Sequence, residues 1–304
     1  MNPHRNLEPF TRTLGLGLLL TVLNACTATP TGNAPPVTDP TPNPTSCVIG
    51  APPASLGLDA FYGKYCSVRG IPLVAASVVP DAAFVEAWNV LENMLTGVSS
   101  TVVQKIIANK IRIGIIGKDQ RTTEMPEYRN LDRDFPLPGG ESWDKRARGL
   151  GATVDIPLIT GAEENILCLS GDRYAGESIL LHEFSHTVLN LGVEFADTNF
   201  KGRLNTAYNA VLGKKWINTY ADDTVEEYWA EGVQDYYNTN IESIPSNGIH
   251  NEINTRAELK TYDPELFGLI QGSCSSRVLN DRQEQSWLER PLNRLECIPT
   301  MQRA

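Results

Sequence analysis

Two histidines and a glutamate stand together in His182-Glu183-Phe184-Ser185-His186, the pattern HExxH. Side chains four apart on a helix lie on one face, one turn above the other. Two imidazoles so placed can grip one zinc ion, with Glu183 beside the metal position that the protein leaves open. Zinc in a hydrolytic site takes three protein ligands and lowers the pKa of water at the fourth position toward ~7. A glutamate next to that water can take its proton and later deliver it to a leaving amine. The chain holds four histidines; His4 falls in a segment expected to be removed, and two of the other three lie in this motif. The competing reading is a buried amphipathic helix whose histidines are satisfied in the core.

A third ligand must come from elsewhere. No histidine follows in the HxxGxxH form, and no cysteine pair has CxxC spacing. The best candidate is Glu227, in Glu227-Tyr228-Trp229-Ala230-Glu231 on a second expected helix. Glu231 lies four residues on, on the same face. If Glu227 binds the metal, Glu231 can reach a ligand histidine and hold its tautomer; the reverse assignment stays open. Thr224-x-x-Glu227 also fits a capping box, which would tie up Glu227. Asp223-x-x-Glu226 fits an acidic cap one residue earlier and leaves Glu227 free.

The stretch from Tyr220 through Glu227 to Glu231, YADDTVEEYWAE, resembles the third-ligand helix of the anthrax lethal factor type of zinc peptidase. That pattern is a tyrosine, seven residues later the ligand glutamate, then aromatic-aromatic-Ala-Glu. His182-Glu-Phe-Ser-His186 is similar to the same group's HEFGH. The resemblance implies a zincin-like fold, His182, His186 and Glu227 as ligands, Glu183 as base, and Tyr220 as donor to the oxyanion of a tetrahedral intermediate. It covers about residues 176–237, near a fifth of the chain. The chain departs from the toxin in having no room for receptor-related domains. GDRYAGE (171–177) and YWAEGVQ (228–234) also resemble motifs of a group of secreted bacterial and fungal peptidases. Neither resemblance names a substrate.

Other residues near the motif have plainer readings. The plainer reading of Tyr220 is an ordinary surface or core tyrosine, one of ten in the chain. Asp172-Arg173-Tyr174 reads as a structural ion pair and turn. His250 sits in a polar, Asn-rich stretch and is expected in solvent. Tyr228, Trp229, Tyr236 and Tyr237 recur at helical spacing and are expected in the core rather than in a cleft. Ala152 to Ile159 reads as a strand that Pro157 confines to a sheet edge, where an extended peptide could pair with it.

Composition bounds the rest. Of 304 residues 41% are hydrophobic, enough for a full core, and the net charge of -10 argues against a nucleic-acid partner. Residues 1–25 read as an export signal: Arg5 and Arg12 precede an apolar run, Leu14 to Leu23, too short to remain as a span. Leu23-Asn24-Ala25-Cys26 resembles the lipobox of bacterial lipoproteins, Asn24 being the departure. It implies lipid on Cys26 and a protein anchored at the bacterial cell envelope. Residues 26–46, rich in proline and threonine, form a tether. Five cysteines then remain, and export favours disulfides. Cys47–Cys66 and Cys274–Cys297 are the local pairings; a Cys168 bond to either terminal segment is the alternative.

Residues 47–304 are expected to form a single zinc metallopeptidase-like domain of the α+β class, mostly helical with a small mixed sheet. A short helix is expected over Asp59–Tyr65, then a helix opened by Asp81 and ended by Gly97, and another over Thr101–Asn109. Ile111–Ile116 is a strand; residues 119–151 are loop-rich. The motif helix spans Gly176–Leu191, stopped by Gly192. Helices follow over Phe200–Trp216, through Glu227 to Tyr237, over Leu266–Gln271 and over Asp281–Leu288. The expected function is a zinc-dependent extracytoplasmic peptidase acting on a peptide or protein substrate. Its rivals are a partner-binding surface lipoprotein with a structural zinc site and a zinc hydrolase of a non-peptide bond.

Overall fold

Val68-Arg69-Gly70-Ile71 reverses the chain through two residues at positive φ, Arg69 at 50° and Gly70 at 88°. Tight two-residue hairpins require that geometry because it matches the twist of the strands. In the computed structural model, which describes residues 46–274, this turn joins β1 (Lys64–Val68) to β2 (Ile71–Ala75) with Val68 opposite Ile71. The hairpin replaces the helix expected over Asp59–Tyr65. Asp59 instead accepts the Phe61 amide at 2.8 Å, a turn of the kind that aspartate favours.

A mixed four-stranded sheet follows in the order β1-β2-β3-β4. β3 (Arg112–Ile116) and β4 (Leu158–Ala162) each add in parallel. Between β2 and β3 run α1 (Asp81–Thr96) and α2 (Ser100–Ala108). Pro80, not Asp81, occupies the cap of α1, and Asp81 pairs with Lys64 at 2.6 Å. Ser99 caps α2 by accepting from the Val102 amide. The strand expected from Ala152 starts only at Leu158. Residues 153–156 close a turn instead, in which the Thr153 amide donates to the Ile156 carbonyl and the Ile156 amide to Thr153 Oγ1, both at 2.9 Å.

Period two divides the sheet into two buried faces. Leu73, Ala75, Ile113, Ile115 and Ile159 face the main core with the long helices. Val74, Ile116 and Leu158 face a second cluster with Met125, Tyr128 and Trp143 from the loop-rich segment between β3 and β4. That segment contains only short helical turns, among them Trp143–Arg146.

The motif helix α3 (Ile179–Val188) packs on β4 and on α5 (Val225–Tyr236). It does not stop at Gly192: the chain continues as a π-helical turn over Leu189–Val193. Gly192 is there for closeness, since a Cβ on it would lie 2.8 Å from Val102 Cγ1 on α2. α4 covers Phe200–Val211, shorter than expected because Leu212 turns extended and Gly213 takes φ 70°. α6 (Arg256–Tyr262) and α7 (Pro264–Cys274) pack against α5. The result is an α+β arrangement of helices with a small mixed sheet.

Cys47 and Cys66 form a disulfide. Cys168 is also disulfide-bonded, in line with the alternative that gives it a partner. The export signal, Cys26, nearly all of the tether, Cys297 and the helix expected over Asp281–Leu288 lie outside the described residues. No helix among the described residues is long and apolar enough to cross a membrane.

Candidate metal centre

α3 presents His182 and His186 one turn apart, with their Nε2 atoms 3.1 Å from each other. α5 brings Glu227 Oε2 to 3.1 Å from His182 Nε2 and 3.3 Å from His186 Nε2. These three side chains form a group able to hold one metal ion. Ligand atoms ~2.0–2.1 Å from a tetrahedral zinc stand roughly 3.3 Å apart, so the triangle has the dimensions of one face of that tetrahedron.

Proton accounting also favours a cation. Gln234 donates through Nε2 to Glu177 at 3.3 Å, which turns its Oε1 toward His182 Nδ1 at 2.7 Å. An amide oxygen only accepts, so His182 Nδ1 carries the proton, and the neutral ring has a lone pair at Nε2. That lone pair faces His186 Nε2 and the Glu227 carboxylate. A ring lone pair and a carboxylate facing each other in a buried site need a positive charge between them. Two imidazole nitrogens and one carboxylate oxygen are a donor set typical of catalytic zinc.

The electrostatics point the same way. Burial disfavours a charged His182, yet Glu227, then Glu183 and Glu231, outweigh it and hold the ring well above its usual pKa. Burial raises Glu227, but His186 and His182 pull it well below the carboxylate range. Burial raises the Glu183 carboxyl, with the two histidines opposing. The centre thus gathers several carboxylates around few positive groups.

One hydrogen bond fixes the two helices against each other, and a second braces the motif helix within itself. Trp229, two residues past Glu227, donates its indole N–H to the Ser185 carbonyl at 3.0 Å. Ser185 Oγ donates to the His182 carbonyl at 2.7 Å. Thr224 caps α5 by accepting the Glu227 amide at 3.2 Å. The cap is therefore Thr224 rather than Asp223, and the Glu227 side chain still reaches the histidines because only its backbone serves the cap.

Tyr220 opens a 3-10 turn, Tyr220–Asp222, held by its amide donating to the Ile249 carbonyl at 2.8 Å. Its ring stacks on His182 with centroids 6.1 Å apart. Burial, with the charges of Glu227 and Glu183, pushes the phenol well above its usual pKa, so it remains a hydrogen-bond donor. Glu183 projects from α3 beside the segment 149–151. A Cβ on Gly149 would sit 2.5 Å from Ile179 Cγ2 and 3.2 Å from Glu183 Cγ. Glycine there lets this segment lie directly on the motif helix.

Gln234 and Glu177 have no role in the sequence reading, and His250 is expected there in solvent. Gln234 is the near partner of His182 Nδ1, while Glu231 Oε1 stands at 3.4 Å. The tautomer-holding role expected of Glu231 falls first to Gln234. Glu227, Glu231 and Gln234 are spaced i, i+4, i+7, so helical periodicity was the available signal. His250 is not in solvent: it is 6% exposed, with Nε2 3.5 Å from Glu177 Oε2. Glu177, just before α3, thus links Gln234 and His250. Glu231 also accepts from Asn240 Nδ2 at 3.1 Å.

Tyr228 and Trp229 are fully buried core residues, as expected. Asp172 makes a turn, accepting the Tyr174 amide at 3.0 Å, but Arg173 donates to the Lys145 carbonyl instead of forming the expected ion pair. A cleft of about 470 Å³ opens over the centre. His182, Glu183, His186, Tyr220 and Glu227 all line it, together with Arg146.

No family model matches the chain. No curated protein matches it. Among solved structures it is similar to the Pro-Pro endopeptidase PPEP-2 from Paenibacillus alvei, at 15% identity and a TM-score of 0.42, over 66% of this chain and 95% of that one.

Proposed function

We propose that this chain is a zinc-dependent peptidase of zincin-like fold, exported and anchored to the bacterial cell envelope through lipid on Cys26. The observation that carries the activity is the meeting of His182, His186 and Glu227 within 3.1–3.3 Å, in a cleft that Glu183 and Tyr220 also line. When bound there, zinc supplies Lewis acidity and brings the pKa of water toward neutrality. Glu183 takes the proton from the attacking water and returns it to the leaving amine. Burial favours its neutral form, the state it takes on receiving that proton. Tyr220, protonated, donates to the carbonyl oxygen of the scissile amide as negative charge develops. Gln234 keeps His182 in the tautomer that leaves Nε2 free.

The test compares the mature protein with Glu183→Gln on a mixed peptide library, with bound metal measured in both. Stoichiometric zinc in both and cleavage only by the wild type is the expected result. Equal cleavage by both refutes the assigned base, and full metal without cleavage in either favours a binding role. Mass spectrometry of the mature N-terminus tests the anchor; an unmodified Cys26, or a start elsewhere, removes it.

A further inference from the structure

Arg146 ends the helical turn Trp143–Arg146 and lines the cleft, yet it is only 8% exposed. Its Nη2 is buried without a hydrogen-bond partner. No carboxylate among the described residues forms an ion pair with it. The neighbouring buried arginine behaves differently. Arg148 pairs with both oxygens of Glu164 at 2.7 and 2.8 Å and donates to the Gly117 carbonyl at 3.0 Å. Folding therefore satisfies one guanidinium and leaves the other with an open donor. A buried guanidinium without an anion is costly, and such exceptions need a cause.

The backbone around Arg146 is pinned. Trp143 donates its indole N–H to the Phe135 carbonyl at 2.8 Å. Thr122 Oγ1 donates to the Ala147 carbonyl at 2.6 Å. The turn that carries Arg146 is thus fixed beside the cleft. The guanidinium lies near enough to Tyr220 for its charge to act on the phenol. The other lysine or arginine lining the cleft, Lys201, is already engaged by Glu226 at 2.5 Å and Glu194 at 3.3 Å. Elsewhere the lining is rich in glutamate and repels acids.

We propose that Arg146 anchors the substrate by pairing its guanidinium with a peptide carboxylate close to the bond that is cut. Rigid, planar and permanently charged, a guanidinium suits bidentate carboxylate recognition. The carboxylate comes from an aspartate or glutamate side chain or from a free C-terminus; both present the same two oxygens. This inference rests on the peptidase reading above.

The experiment maps cut positions in a peptide library for the zinc-loaded wild type, Arg146→Gln and Arg146→Lys. A parallel library with amidated C-termini separates chain ends from acidic side chains. Wild-type cuts are expected at a fixed spacing from a carboxylate. Exchanging that group for its amide should lower kcat/KM roughly 10- to 100-fold in the wild type and hardly at all in Arg146→Gln. Arg146→Lys, keeping the charge but not the fork, should fall between. Wild-type cleavage indifferent to carboxylates at every position overturns the proposal and leaves the peptidase reading standing. Absence of any cleavage overturns both. If Arg146→Gln fails to fold, the acid-to-amide comparison on the wild type still decides.

Discussion

The indole of Trp229 is hydrogen-bonded to the backbone carbonyl of Ser185, and this contact ties the helix carrying Glu227 to the helix carrying both histidines. Trp229 is fully buried, with Phe200 edge-on to its ring at 5.5 Å. Trp229→Phe keeps most of the apolar packing and deletes the donor. It should cost about 1 kcal/mol for the bond, a few degrees in Tm, and more where the smaller ring leaves space. Zinc affinity should drop about tenfold because Glu227 loses its register on the histidines. Thermal unfolding with a competing chelator measures both; an unchanged affinity would show that the helices hold register without this bond.

Gln234 and Glu231 both face His182 Nδ1, at 2.7 and 3.4 Å. Gln234→Ala should weaken zinc binding roughly 10- to 100-fold, and Glu231→Gln should weaken it less. Metal titration of both variants checks the ranking, and the opposite order would return the orienting role to Glu231.

On the proposed reading, zinc should stabilise the fold by binding the assembled triangle in preference to the open chain. At a free concentration 100 times its dissociation constant it contributes about 2.7 kcal/mol. Chelation should therefore lower Tm in the wild type and leave Tm unmoved in His186→Ala and Glu227→Ala. A chelator shift that persists in both variants would locate the ion elsewhere.

Much of this centre was legible before any coordinates. The i, i+4 histidines and the Glu227–Glu231 pair each lie within one helix, where periodicity dictates the face, whereas Tyr220, on a separate turn, is suggested only by the resemblance. His250 was misread because composition is a poor guide to loops. Its stretch is polar, but Gly248 donates to the Asn218 carbonyl and Tyr220 to the Ile249 carbonyl, folding it over the site. Such pairing between distant segments has no period to detect. The β1–β2 hairpin was missed for a related reason: its turn is Arg-Gly rather than the stronger Asn-Gly signal. Gly192 looked like a helix stop, yet its role is set by α2, far away in sequence.

Gly149→Ala would place a methyl 2.5 Å from Ile179 Cγ2. Overpacking of this kind costs about 1–3 kcal/mol. The same methyl would crowd Glu183, so catalysis should suffer beyond the loss of folded protein. Activity per folded molecule at a temperature well below Tm separates the two effects. An Ala variant with native stability would mean that the 149–151 segment can move away from the motif helix.

Asp235 is fully buried; Oδ1 accepts from Asn240 at 2.9 Å while Oδ2 has no partner. Burial drives its carboxyl well above the usual range. The folded state then holds a proton that the unfolded state releases near pH 4, so this group's contribution to stability declines as pH rises from about 4 toward the folded pKa. Asp235→Asn should remove that decline. Urea midpoints across pH 4–8 should slope less for the variant, and parallel curves would mean that Asp235 ionises freely in the fold.

Both flanks of the sheet are guarded. On the β1 side, Gly50 exchanges two backbone hydrogen bonds with Tyr65, at 2.9 and 2.8 Å, and the Cys47–Cys66 bridge staples that stretch down. On the β4 side, the Thr160 amide is taken by the Leu150 carbonyl at 2.9 Å. Exposed strand margins invite neighbouring molecules to join edge to edge. Crowded at a surface, many copies of this protein would offer one another little bare backbone to seize, and reduction of that bridge is where such clumping should begin.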